Sequence, residues 1–421
     1  MRHNQTPSQM FRFGFQRPNH IGLLFTALLT AGLLAGPASA GARKTNQTRT
    51  GIDELEASHF AILQGKRVGL ITNQTGVDSA GRRTIDLLAH ADGVKLMAIF
   101  SPEHGIAGRM DAEVANARDS ATGVPIYSLY GETRRPTDAM LAGIDTLVFD
   151  IQDAGVRFYT FVTTMAYCME EAAKRQIEFV VLDRPDPIGG EIIEGPVLDA
   201  DRLSFVGYFP MPVRYAMTMG ELARMFNAEN RIGADLRVVE MKGWRRRETY
   251  DQTGLAWIAP SPNLRSPRAE FLYPGIEILQ AAGVSVGRGT DTPFEILGAP
   301  WIQGRKFAIE LNLRRISGVR FAATEFVPTS GLYSGRRCEG VRIEITRREA
   351  IRTMTMGLEI SGVLRRMYPK QFQVEKTIEL LGSRATVNAM ERGESPAEIV
   401  ARWGADLEKF RTMRAKYLLY N

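Results

Sequence analysis

Three short segments of the chain gather groups that can move a proton or hold a sugar. Ser101-Pro102-Glu103-His104-Gly105 sets a carboxyl beside an imidazole. The run from Asp150 to Thr160 (DIQDAGVRFYT) carries Asp150, Gln152, Asp153, Arg157 and Tyr159. The segment DRPDP carries Asp183 and Arg184. Glycoside cleavage uses a pair of carboxyls, one of which protonates the leaving oxygen. Partial burial keeps that acid protonated long enough to act. Glu103, pinned between Pro102 and His104, is the first choice for the acid. Asp150, Asp153 and Asp183 are the candidates for the second carboxylate, and the residues alone do not choose among them. A single aspartate after a strand is more often a cap or a loop anchor. A histidine beside a glutamate is more often a local hydrogen bond. Three such segments in one domain favour a site.

Each segment directly follows an apolar run, and those runs supply the frame. RVGLITNQ (67–74), VKLMAIFSPEHG (94–105), TLVFDIQDAG (146–155) and IEFVVLDRPDP (177–187) read as buried strands running into loops. Helical spacing separates them at 82–91, 161–176 and 220–230, and LRVVEMKGW (236–244) adds a strand. Buried strands alternating with helices predict a parallel sheet covered on both faces. Ligands of such sheets lie beyond the carboxyl ends of the strands. Pro260, Pro262 and Pro267 mark a domain junction. After it come a helix near PGIEILQAAG and strands at VSVGRGT, VRFAATEFVP and GVRIEITRR. Two long helices follow, the last reaching the terminal YLLY, with Ser395 and Glu398 spaced as a capping box. The expected fold class is therefore α/β. A parallel-sheet N-terminal domain at 52–260 precedes a smaller mixed α/β domain at 268–421.

Several chemistries fit poorly. No G-x-G-x-x-G follows the first strand, so a dinucleotide site is not expected. GVSVGRGTDTPF (283–294) lacks the Lys-Ser/Thr ending of a phosphate loop, and no G-x-S-x-G elbow occurs. Past residue 40 the histidines are His59, His90 and His104, too few for a histidine-rich metal centre. Neither a cofactor nor a metal is expected. Cys168 and Cys338 read as two buried free thiols.

Residues 1–40 read as an export signal. Arg2, Arg12 and Arg17 precede an apolar run at 21–36, and Ala38-Ser39-Ala40 supplies a small-x-small cleavage pattern. Residues 41–51 read as a flexible lead. Losing three arginines from a formal net charge of +6 leaves a weak positive balance, which is no nucleic-acid footprint. The protein is expected in the periplasm or outside the cell, with no further membrane segment. Its oligomeric state is not legible.

Longer motifs point to a family. GLITNQTGV, FSPEHGIAG, DIQDAGVRFYT, DRPDPIGG with EGPVLD, SPNL, YPG, VSVGRGTDTPFEILGAPWI, CEGVRIEITRRE and YLLY stand in the order typical of NamZ-type exo-β-N-acetylmuramidases. The chain resembles that family over roughly 52–421. The resemblance implies a Rossmann-like N-terminal domain without a nucleotide, a smaller C-terminal domain, and a cleft between them. It implies release of N-acetylmuramic acid from non-reducing ends of peptidoglycan fragments or muropeptides. It points to Glu103 as acid/base. His104, Gln152, Arg157, Tyr159, Asp183, Arg184, Asn263 and Arg288 are carried as candidates for substrate binding. Arg157 and Arg288 would serve the lactyl carboxylate, because the guanidinium fork binds a carboxylate at two points. The chain departs from the family at Arg214-Tyr215-Ala216, where relatives carry Arg-His-Gly, and this puts specificity at that point in question.

Two rival functions remain. One is a non-catalytic muropeptide-binding protein; the other is an amidase or esterase using the same cleft. Turnover of a chromogenic muramic acid glycoside, but not of a glucosamine glycoside, separates the glycosidase from both. The first forty residues generate their own expectation: the exported protein begins at Gly41. N-terminal sequencing of exported material checks this, and a mature chain beginning at Met1 overturns it.

Overall fold

The computed structural model describes residues 47–109 and 115–421. The apolar run at 21–36, the cleavage pattern and residues 41–46 of the expected lead lie outside the described residues.

The N-terminal half contributes β1 (Arg67–Thr72), β2 (Lys95–Ser101), β3 (Ala117–Arg118), β4 (Pro125–Ser128), β5 (Thr146–Asp150) and β6 (Glu178–Leu182). A short hairpin, β7 (Glu194–Val197) with β8 (Pro212–Arg214), and β9 (Leu236–Val239) complete it. The main sheet runs β3-β4-β2-β1-β5-β6-β9, parallel throughout except for β3 against β4. From β4 to β9 this is the doubly wound order, whose direction reverses between β1 and β5. The strands are apolar on both faces because both are covered. On one face Ile71, Phe100, Phe149, Phe179 and Val181 meet the helices Phe161–Lys174 and Met219–Glu229. On the other face Val68, Leu70, Ile99, Val148, Val180 and Leu182 meet Gly51–Ala57 and Thr84–Ala89.

The C-terminal half holds a smaller antiparallel sheet of β10 (Ile296–Ala299), β12 (Cys338–Ile345) and β11 (Val319–Phe326), in that order. Its helices include Pro267–Ile276, Gly304–Leu313, Thr353–Met367, Arg384–Arg392 and Pro396–Arg414. Helix Pro267–Ile276 crosses Thr353–Met367 at glycines. A Cβ on Gly275 would lie 1.9 Å from the Thr353 carbonyl oxygen, and one on Gly357 would lie 2.4 Å from the Gly275 carbonyl oxygen. One hydrophobic cluster runs from Ile71 and Phe149 through Leu272 and Leu279 to Met354 and Trp403, so the two halves share a core.

Four expectations need revision. Residues 47–50 do not lead freely into the fold: Thr48 N–H donates to the Thr253 carbonyl (3.0 Å), and Arg49 pairs with Lys242. The stretch at Val284–Thr290 is not a strand. It makes one isolated bridge, Ser285 to Gly298, because Gly287 and Gly289 turn it at positive φ. The final helix stops at Arg414, and Tyr417–Asn421 runs as a tail over the N-terminal half. Its start does carry both bonds of the Ser395–Glu398 capping box. In the tail, Leu419 N–H donates to Glu221 (2.8 Å) and the Tyr420 hydroxyl donates to Asp183 (2.6 Å). Cys168 and Cys338 are free and buried.

The fourth revision concerns Arg157, expected in the cleft. It has no exposed surface. Its guanidinium donates to the carbonyls of Pro196 (3.0 Å) and Met211 (2.9 Å) on the hairpin, and of Leu380 (2.7 Å) and Leu381 (2.8 Å) in the C-terminal half. It is a brace, unable to reach a substrate carboxylate. Arg157→Met strands three buried carbonyls and one partly buried one, and is expected to cost on the order of 3–5 kcal/mol. The urea midpoint should fall accordingly. A wild-type midpoint overturns the bracing role.

Candidate active site

The loops after β1, β2, β5 and β6 meet at one end of the main sheet, and their charged groups divide into two kinds. The first kind is consumed by the fold. Asp150, at the end of β5, is fully buried and pairs with Arg184 through two bonds of 2.6 and 3.0 Å. Thr84, the first residue of the helix after β1, also donates its hydroxyl to Asp150. Arg184 further donates to the Val77 carbonyl (2.7 Å). In nucleotide-binding sheets of this order the N-terminus of that helix receives a pyrophosphate. Here an internal carboxylate stands against it. Asp183 accepts from Thr218 Oγ1 (2.7 Å), Tyr420 Oη (2.6 Å), Gly220 N (2.8 Å) and Arg184 N (3.0 Å). It caps helix Met219–Glu229 and anchors the tail. Asp150, Asp183 and Arg184 were all candidates from the sequence. The structure spends each on holding loops together.

Gln152 lies between. Its side-chain amide donates to the carbonyls of Asp153 (3.0 Å) and Pro185 (2.8 Å), tying the β5 and β6 loops.

The second kind surrounds Glu103. The Glu103 side chain is only partly buried. It follows β2 in a tight loop where His104 and Gly105 both take left-handed backbone, at φ 70° and 75°. His104 is 9 % exposed and buried beside it. Thr160, just before helix Phe161–Lys174, donates its hydroxyl to Glu103 Oε2 at 2.5 Å. Tyr159 and Tyr273 stand edge to face, 6.2 Å between ring centres. Burial first, and then neighbouring carboxylates that include Glu103 and Glu270, raises the titration of both hydroxyls. Glu277 and Arg288 also act on Tyr273. Arg288 pairs with Glu277 (2.6 Å) and lies 5.2 Å above the Phe294 ring. Asn263 is buried in the turn where Leu264 N–H closes onto Ser261, whose hydroxyl acts on Tyr159. Glu103, Tyr159, Tyr273 and Arg288 thus share one neighbourhood where the halves meet.

Behind them lies a group of buried carboxyls. Asp153 accepts from Gly155 N (2.9 Å) and from the Tyr215 hydroxyl, while its Oδ1 has no partner. Burial lifts its pKa to about 6. Asp186 accepts from Ile188 N (3.1 Å), and burial lifts its pKa to about 8 against the pull of Arg214. Glu270 is fully buried with neither oxygen partnered, and burial holds it well above the carboxylate range. Thr160, Asp186, Glu270 and Tyr273 were not singled out from the sequence. Thr160 and Tyr273 sit inside DIQDAGVRFYT and YPG and Asp186 inside DRPDP. Glu270 has no local signal at all, since only packing shows that its side of the helix is buried.

These buried acids set a sign for pH dependence. Asp183, which burial also lifts to about 6, joins Asp153 and Asp186. Each binds its proton more tightly folded than unfolded, so its contribution to stability is present at low pH and lost as pH rises through the folded value. The melting temperature is expected to fall from about pH 5 to about pH 8, and Asp186→Asn should flatten the upper part of that decline. A melting temperature that is constant or rises over this range removes the assignment.

Comparison with known proteins agrees with this architecture. Residues 68–268 match the family described as exo-beta-N-acetylmuramidase NamZ, N-terminal, and residues 271–420 match its C-terminal counterpart. The chain is 41 % identical over 404 residues to the peptidoglycan beta-N-acetylmuramidase NamZ of Bacillus subtilis (strain 168), covering 95 % of this chain and 98 % of that one. Two crystal structures of DUF1343 family proteins from Bacteroides fragilis NCTC 9343 superpose with TM-scores of 0.83 and 0.73, at 39 % and 32 % identity. Each alignment covers 89 % of this chain and 99 % of the other. Matched in order through both halves, the chain belongs to the exo-β-N-acetylmuramidase NamZ family.

Proposed function

We propose that the protein is an exo-acting glycoside hydrolase that releases N-acetylmuramic acid from the non-reducing ends of peptidoglycan fragments, with Glu103 as its general acid. The observation that carries the residue assignment is the contrast among the carboxyls read from the sequence. Asp150 and Asp183 are closed off by structural bonds, whereas Glu103 keeps access to solvent beside aromatic rings. The rings of Tyr159 and Tyr273 are buried and pack edge to face in the same neighbourhood. Asp153 retains one oxygen without a donor and is the second carboxylate we carry forward. With Arg157 withdrawn, Arg288 is the guanidinium left to meet the lactyl carboxylate, since it stands near the Tyr273 hydroxyl that Glu103 also influences. The polar start, apolar run and Ala38-Ser39-Ala40 support export, which places the mature enzyme with its wall substrate. No helix among the described residues is long and apolar enough to cross a membrane.

Glu103→Gln keeps size and shape but cannot donate a proton of suitable acidity. Turnover of natural wall fragments is expected to fall by roughly 10²–10⁴, with little change in KM. A dinitrophenyl leaving group, which departs without protonation, should recover much of the loss in the first chemical step. Near-normal turnover by Glu103→Gln on natural fragments would falsify the assignment.

A further inference from the structure

Thr160 occupies the N-cap of helix Phe161–Lys174, where a threonine hydroxyl ordinarily accepts a hydrogen bond from an N–H two or three residues on. It makes no such bond here, and its backbone sits at φ −73°, ψ −15°, helical rather than extended. Its hydroxyl is instead donated to Glu103 Oε2, 2.5 Å away on the loop after β2. The helix end has given up its local cap for a contact with the proposed acid. The platform is rigid. Most of the helix is buried, and Thr160 itself is 7 % exposed between Tyr159 and Phe161, whose rings meet edge to face at 4.7 Å.

We propose that Thr160 is the positioning residue for Glu103: its hydroxyl holds Oε2 and leaves Oε1 to carry the proton toward the scissile bond. This rests on the reading of Glu103 as general acid. In the step it serves, the Oε1–H bond breaks and the proton passes to the glycosidic oxygen. The electron pair of the bond between the anomeric carbon and that oxygen leaves with the departing sugar, and an oxygen of the second carboxylate or of the water it activates forms the replacing bond at the anomeric carbon. Glu103 is left as a carboxylate, and the Thr160 hydroxyl donates to it throughout without transferring an atom. A donor is worth more to a carboxylate than to the neutral acid, so the contact tightens as the proton departs. It also fixes which oxygen faces the substrate, a geometric role that a helix cap does not have.

The test uses the full mature chain with Thr160→Val, which keeps the shape without the donor, and Thr160→Ser, which keeps the donor. Thr160→Val is expected to lower kcat by roughly tenfold to a hundredfold, the scale of one hydrogen bond to a charged group. KM should stay within about twofold of the parent, because bound substrate gains little from the contact. Thr160→Ser should recover most of kcat. The alkaline limb of the kcat/KM profile should move upward in Thr160→Val, since the lost donor favoured the charged form. The deficit should shrink with a dinitrophenyl leaving group, and should vanish when Thr160→Val is added to Glu103→Gln. If valine does not fold, Thr160→Ala replaces it in every comparison. Unchanged kcat with an unmoved limb overturns the inference, as does a serine variant no better than valine. Should Glu103→Gln turn over normally, the reading of the acid itself fails. Should Glu103→Gln be inactive while Thr160→Val is normal, only the role of Thr160 fails.

Discussion

The buried pair of Asp150 with Arg184 is the constraint on which the rest of the N-terminal half depends. Both side chains are almost wholly removed from water, at 0 % and 4 % exposure. Two such charges are tolerable only when geometry and extra hydrogen bonds offset the loss of hydration. Here they have both: a two-point contact, the Thr84 hydroxyl on Asp150, and the Val77 carbonyl on Arg184. The pair therefore joins the ends of β5 and β6 to the segment after β1. Removing either partner would leave an uncompensated charge, which typically costs roughly 3–5 kcal/mol. Through Arg184 N–H on Asp183, the same knot reaches helix Met219–Glu229 and the tail.

That knot decides what the sheet can be used for. The doubly wound order brings a helix N-terminus to the reversal point, where relatives in fold hold phosphate. An internal carboxylate stands there in this protein, and the carboxyl that keeps access to solvent, Glu103, lies one strand over, on the loop after β2. Glu103 then faces the C-terminal half. Bonds between the halves hold them together. Arg157 spans from the hairpin to Leu380 and Leu381. Glu194 on β7 accepts from Thr355 N–H (2.9 Å) and pairs with Arg214. The glycine crossing of Gly275 with Gly357 lets the helix that carries Tyr273 and Glu270 pack backbone to backbone against Thr353–Met367.

The site accordingly has a wet front and a dry back. Glu103 is partly open, while Asp153, Asp186 and Glu270 sit behind it with unpartnered oxygens. Three carboxyls in a medium that resists charge cannot all ionise at neutral pH. Asp186 and Glu270 hold their protons there, while the Tyr215 hydroxyl, by donating to Asp153, favours its charged form against the burial that raises it. Tyr215, which stands where the resemblance leads us to expect a histidine, is fully buried against that cluster. Its substitution therefore concerns the back of the site more directly than the face a sugar meets.

Much of the fold and part of the site were legible in the order of residues. Apolar runs at β1, β2, β5 and β6 announce buried parallel strands, because only strands covered on both faces can be apolar at every position. Glu103 was legible because a carboxyl directly after such a run, held by Pro102 and His104, has a determined place at the sheet's rim. What only the tertiary structure decided is which polar residues remain available. Asp150, Asp183, Arg157 and Arg184 look as reactive in the sequence as Glu103 does. Their partners, Thr84, Thr218, Tyr420 and the carbonyls of Leu380 and Leu381, lie up to 237 residues away in the chain. A charged side chain is catalytic or structural according to whether distant donors and acceptors use up its hydrogen-bonding capacity. No local spacing records that. Packing alone buried Glu270 and turned the Thr160 hydroxyl away from its own helix toward Glu103.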